Sequence, residues 1–134
     1  MAYTINKTDG TVVTTITDGT SDNSTSLTLF GKSFSGFGEG LNENLVKLLE
    51  NSASTSAPTS PLKGELWFDT NVNRIKVYDG SNFQITGGAI SQATTPTSPS
   101  AGDLFHDTDT DQVSVYTGSS FLLVGPVFNK TQTL

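Results

Sequence analysis

The stretch "GELWFDTNVNRIKVYDGSNF", Gly64 to Phe83, returns as "GDLFHDTDTDQVSVYTGSSF", Gly102 to Phe121, at an offset of 38 residues and without a gap. Between Pro58–Gly88 and Pro96–Pro126, 14 of 31 positions are identical, and most of the other apolar positions are conservative exchanges. A repeat of this length limits the chain to small like units in series, each one supersecondary piece with its own turns.

Each copy reads as three short strands, 65–69, 74–79 and 82–86 in the first, with "TNVN" and "GS" between them. Alternation along the strands groups Leu66, Ile75, Val77, Phe83 and Ile85 on one face, with Trp67 and Tyr78 on the other. In the second copy the sets are Leu104, Val113, Val115, Phe121 and Leu123 against Phe105 and Tyr116. Both faces are thus expected to carry apolar surface. A unit of about 30 residues cannot bury enough surface to offset its chain entropy without a staple. The chain has no cysteine, and no metal-ligating cluster is visible in it. Association is the staple that remains, so an obligate oligomer is expected. Trp67, Tyr78, Phe105 and Tyr116 are the candidates for contacts between modules or subunits.

The region before the repeat has a different texture. "YTINK" and "TVVTTIT" are β-rich runs joined across Asp9-Gly10, a pair that favours a type I′ hairpin. "TDGT", Thr17 to Thr20, ends the next strand, and "SLTLF", Ser26 to Phe30, reads as another. The period then changes. Leu41, Leu45, Leu48 and Leu49 recur at helical spacing, which predicts a helix over about residues 42–52 with Asn42 as its N-cap. A helix of about three turns persists only when packed. The preceding sheet is its expected partner, with the helices of neighbouring subunits as the other choice. Ser/Thr/Ala/Pro segments at 52–61 and 89–101 read as linkers, each leading into one copy of the repeat.

The fold expected is therefore mainly β with one short helix. An α+β N-terminal domain, 1–51, is followed by two small three-stranded modules, 62–88 and 102–128, and residues 129–134 begin a further segment. "GPVFNKTQTL" stops in a strand-like run, which suggests the N-terminal portion of something longer.

Charge and composition exclude several function classes. The net charge is −6, and the seven basic residues are scattered rather than striped, so nucleic acid is not an expected partner. No apolar run approaches membrane-spanning length, and "MAYTINKTDG" lacks the basic flank and apolar core of a secretion signal. "FGKS" at Phe30 to Ser33 ends like a phosphate loop, yet Ser26 stands where that loop needs its first glycine. "DTDTD" at Asp107 to Asp111 opens like a calcium loop, but Gln112 and Gly118 occupy the places of its glycine and its glutamate. Asp and Asn here suit hairpin turns better. His106 is the only histidine and stands where the first copy has Phe68, a poor setting for a catalytic base. No catalytic residue, metal ligand or cofactor site is expected. Trp67, Phe68 and Tyr78 could also form a sugar-stacking platform, which makes a glycan-binding adhesion module the alternative reading.

The repeats resemble the G-[DE]-L-[WF]-x-[DN]-T…[VL]-Y-x-G-S-x-[WF] modules of bacteriophage tail-fibre and other virion structural proteins. The leading part, "YTINKTDGTVVTTITDGT" through "SLTLFGKSFSGFGEGLNENLVKLLENSA", resembles the N-terminus of large structural proteins of T4-like cyanophages and related marine myophages. Phe105-His106 departs from the usual Trp-aromatic pair. The resemblance implies a homotrimeric fibre made in the infected host's cytoplasm. Its N-terminal end would attach to another virion protein of the baseplate, tail or neck, and its distal part would meet the host.

Overall fold

A computed structural model describes residues 1–127 of the chain; the segment expected at 129–134 lies outside them. The architecture is mainly β with one helix and several small sheets. It divides into two compact units, residues 1–86 and 87–134.

The first unit opens on a hairpin of β1 (Tyr3–Asn6) and β2 (Val12–Ile16). Its turn differs from the expected type I′, because only Gly10 has positive φ and Asp9 does not. The Gly10 amide donates to the Lys7 carbonyl, and the Asp9 carboxylate accepts from the Thr11 amide and hydroxyl. A register shift between Ile5 and Asn6 absorbs the longer loop. Ile16, at the end of β2, is fully buried. Two short strands follow, β3 (Ser21–Asp22) and β4 (Leu29–Phe30), paired antiparallel. Only the end of the expected "SLTLF" strand is thus in a ladder.

Helix α1 (Phe37–Leu49) begins five residues before the expected start, and Gly36 in a left-handed conformation replaces Asn42 as its N-cap. Gly38 and Gly40 read as helix breakers, but Gly40 has a packing task. A Cβ on Gly40 would come within 3.0 Å of three atoms of the Phe30 ring, so the bare backbone is what lets the helix lie on that ring. At the other end Asn51 has positive φ, its amide donates to the Leu48 carbonyl, and the Ser52 amide donates to Lys47. That is a Schellman stop with Asn in the place usually held by glycine.

The first repeat copy supplies the antiparallel sheet β5 (Leu66–Asp69), β6 (Arg74–Tyr78) and β7 (Phe83–Ile85). In the second unit β8 (Ile90–Gln92) joins β9 (Leu104–Asp107), β10 (Gln112–Tyr116) and β11 (Phe121–Gly125) in the order β11-β10-β9-β8. The second module therefore has four strands rather than three, and β8 comes from the segment expected to be a linker. β8 runs parallel to β9 with Gln92 opposite Asp107. The first copy shows the same device in miniature, a parallel bridge of Ser54 to Asp69, the pair 38 residues earlier. Asn51 accepts from the Phe68 amide, Ser54 donates to the Phe68 carbonyl, and Thr70 donates to Ser54. Both joining segments thus cover an edge whose amides and carbonyls would otherwise stay unpaired within the sheet.

The hydrophobic core is small. Among the described residues only Ile16, Trp67 and Phe105 are buried hydrophobics, one in the N-terminal region and one in each module.

Candidate functional site

The register of the sheets reassigns the module faces. Tyr78 lies opposite Phe83, Lys76 opposite both Trp67 and Ile85, and Val77 opposite Leu66 and Gln84. Residues directly opposite share a face, so Phe83 and Ile85 belong with Trp67 and Tyr78, not with Leu66 and Val77. The turn decides this. Asp79 and Asn82 flank the two-residue loop, and the Asp79 carboxylate accepts from the Ser81 and Asn82 amides, which places Phe83 across from Tyr78. Phe121 and Leu123 likewise join Phe105 and Tyr116.

The Trp67 face is the inside of its module. The indole meets Phe83 edge-on at 5.3 Å between centroids, and Tyr78 packs on Phe83 at 5.1 Å. The Trp67 Nε1 donates to the Ser54 carbonyl and hydroxyl, and the Lys76 ammonium lies 4.8 Å from the ring centroid. Phe105, Tyr116 and Phe121 repeat the cluster at 5.4 and 5.0 Å. Trp67 and Phe105 are each 7% exposed. The aromatic candidates are thus engaged within their own modules. The surface left to partners is the other face, where Leu66 and Leu104 occupy matching, exposed positions.

The carboxylates of the repeat do turn chemistry. Asp69 accepts from the Asn71 amide and from Lys76, and Asp107 accepts from the Asp109 and Thr110 amides. The Lys76 ammonium, 2.8 Å from Asp69, holds that carboxyl below its usual range despite burial. Turn amides do the same for Asp79 and Asp107. Among the described residues no group of three or more metal-ligating side chains gathers.

His106 has neighbours that the sequence did not reveal. Its Nδ1 is 2.9 Å from the Ser91 hydroxyl, and its Nε2 is 3.5 Å from the Asp111 carboxylate. The first contact follows from the parallel pairing of Ser91 with His106. Asp111 is half exposed and beyond good hydrogen-bond range, so water competes for it. The first copy, with Ala53, Phe68 and Asn73 at these places, builds its module without the trio.

The helix carries a row of exposed apolar side chains. Leu41, Leu45, Leu48 and Leu49 are 47%, 50%, 54% and 82% exposed, and Phe37 is 58% exposed. The stripe stays largely uncovered by the preceding sheet, with only Leu48 edging a cavity that Ile5, Val13 and Leu29 also line. What docks is the neighbouring face, Gly40, Asn44 and Lys47. Asn44 brackets Thr28, accepting from its amide at 3.3 Å and donating to its carbonyl at 2.7 Å. Lys47 donates to the Ser26 carbonyl at 2.5 Å. No helix among the described residues is long and apolar enough to cross a membrane.

Compared with known protein families, with curated proteins and with solved structures, the chain matches none.

Proposed function

We propose that this chain is the N-terminal, particle-proximal part of a homotrimeric bacteriophage fibre. It is a structural, non-catalytic protein that anchors to a virion protein of the baseplate, tail or neck and spaces the distal, host-binding part. The observation that carries this reading is the repeat as a built object. Both copies place a three-stranded meander, an aromatic trio and an Asp-capped turn at matching positions. Between the copies Gly64, Gly80 and Gly87, the turn carboxylate of Asp69 and the internal rings persist, while Asp79 becomes Thr117, Lys76 becomes Ser114, Arg74 becomes Gln112 and Phe68 becomes His106. A binding or catalytic repeat holds its polar chemistry constant; a spacer holds its shape. The resemblance of the sequence to virion structural proteins points the same way. The glycan-binding alternative loses the Trp67 face of its platform, because that ring is covered within the module.

Light scattering on the purified chain, joined with location of the chain in intact phage particles, tests this reading. The expected result is a mass of three copies and density at the base of a tail or neck fibre. A stable folded monomer, or saturable polysaccharide binding lost on Trp67→Ala with oligomeric state unchanged, overturns it.

A further inference from the structure

We infer that the Phe37–Leu41–Leu45–Leu48 stripe of α1 is where copies of this chain meet, helix against helix; this rests on the reading of the protein as an oligomeric structural element and locates its seam.

Four observations lead there. The stripe is held outward. Asn44 is pinned to both backbone groups of Thr28, and Lys47 to Ser26, so the helix cannot roll its leucines onto its own sheet without breaking those bonds. The size is that of a contact rather than of scattered surface residues. Four large apolar side chains, each about half exposed, leave roughly 400 Å² of apolar surface, within the range of the largest patch on a monomer.

The charge pattern selects the partner. At about 100° per residue, Glu39, Glu43 and Glu50 fall on the side of the helix opposite Leu41. A second copy brings its own net −6 to the contact, and only a seam cleared of carboxylates lets two such chains approach without like-charge repulsion. A basic partner protein would instead be drawn to the acidic side. The spacing is also self-complementary, because Leu41, Leu45 and Leu48 step by four and then three, as seam positions of packed helices do.

The stripe alone falls short of the ~800 Å² that each partner gives to a standard interface. Closure around an axis, where each helix faces more than one neighbour, makes up part of the difference. The rest is at hand beside Leu48, where a cavity of about 360 Å³ lined by Ile5, Val13, Leu27, Leu29 and Leu62 continues the apolar surface and can seat a neighbour's side chain.

The test uses the full chain and its lack of cysteine. Leu45→Ala should weaken self-association roughly 10–100-fold, and Leu45→Lys should reduce the mass by light scattering to one chain, whereas Glu43→Lys should leave it at the wild-type value. Leu45→Cys, near the middle of the helix, should form a disulfide between copies on mild oxidation in either relative direction of the helices, and Glu43→Cys should not. This second measurement stands even if Leu45→Lys fails to fold. A wild-type oligomer that persists in Leu45→Lys, or that crosslinks through Glu43→Cys as readily as through Leu45→Cys, overturns the seam and leaves the fibre reading in place. Loss of the oligomer in Leu45→Lys without a Leu45→Cys crosslink also overturns it. A monomeric wild type overturns both.

Discussion

Two glycines two residues apart in α1, on different sides of the helix, should respond to the same substitution with opposite sign. Gly38 and Gly40 are both in the helix, so alanine at either removes a residue that is about 1 kcal/mol unfavourable in a helix interior. At Gly38 nothing lies within 4 Å of the added Cβ, and the gain should appear almost whole. At Gly40 the methyl would meet three atoms of the Phe30 ring at 3.0 Å or less, where carbon atoms prefer about 3.5–4.0 Å. The ring end must therefore retreat or the helix must lift. Retreat disturbs the Phe30–Phe34 pair, now 5.1 Å between centroids, an arrangement worth about 0.5–1.5 kcal/mol. Lifting strains the Asn44–Thr28 bonds instead. Overpacking of this kind costs about 1–3 kcal/mol, which exceeds the propensity gain. Gly40→Ala should lose up to about 2 kcal/mol while Gly38→Ala gains up to about 1 kcal/mol.

Thermal unfolding followed by circular dichroism, at matched protein concentration, reads the contrast. For a unit of this size about 1 kcal/mol moves the midpoint by roughly 4–8 °C, so the two variants should separate by on the order of 10 °C. If both variants melt higher than the wild type, the Phe30 ring moves freely. The claim that glycine seats this helix is then wrong.

Asn44→Ala removes both bonds to Thr28 and should destabilise the first unit by about 1–3 kcal/mol, read by the same melts. Trp67 is the only tryptophan, so its emission reports on the first module alone. Because Asp69 has a lowered pKa in the folded state, its contribution is present above the unfolded value of 3.8 and is lost as pH falls through the lower folded value. Acid titration of Trp67 emission should show that loss, and Asp69→Asn should abolish it while costing about 1–2 kcal/mol at pH 7 through the unpaired Lys76. An unchanged acid transition in Asp69→Asn would rule this pair out as its source. Ser114→Lys should recreate the Lys76–Asp69 pair with Asp107 and stabilise the second module by up to about 1 kcal/mol in denaturant titration.

What could be read in the chain was what local rules write into it. The repeat, the strands of each copy and the turns at Asp79 and Asp107 follow from alternation and side-chain capping, and they stand in the structure where those rules put them. The faces were misassigned because alternation was carried along the chain through the loop, whereas pairing across the loop ties Phe83 to Tyr78. The early start of α1 was illegible for a non-local reason. Gly38 and Gly40 argue against a helix until Phe30 is known to lie against Gly40. The parallel fourth strand was hidden because Ser52–Ser54 and Ile90–Gln92 share almost no side-chain pattern; their common role is to satisfy backbone groups. The neighbours of His106 were hidden with it, since Ser91 reaches the ring only through that strand.

The helix shows how a correct periodicity can lead to a wrong partner. Leu41, Leu45 and Leu48 do form a stripe, and the usual inference is that a stripe packs on its own domain. That inference assumes that apolar contact is what orients the helix. Here orientation comes from the polar side. Asn44 offers an acceptor and a donor to one residue's backbone, and Lys47 spends its ammonium on a carbonyl, so bonds with strict geometry fix the roll of the helix. The apolar face, which has no directional demand, is left to meet whatever surface matches it. Leu41, Leu45 and Leu48 are already about half covered, so burying the rest is worth about 1 kcal/mol each, no more than the three net hydrogen bonds at about 1 kcal/mol each that rolling the helix would break. The polar seat thus holds the helix without any contribution from the stripe. The polar seat of α1 and its open stripe are one feature: the bonds that fix the roll of the helix leave its leucines exposed, which is what the proposed seam requires.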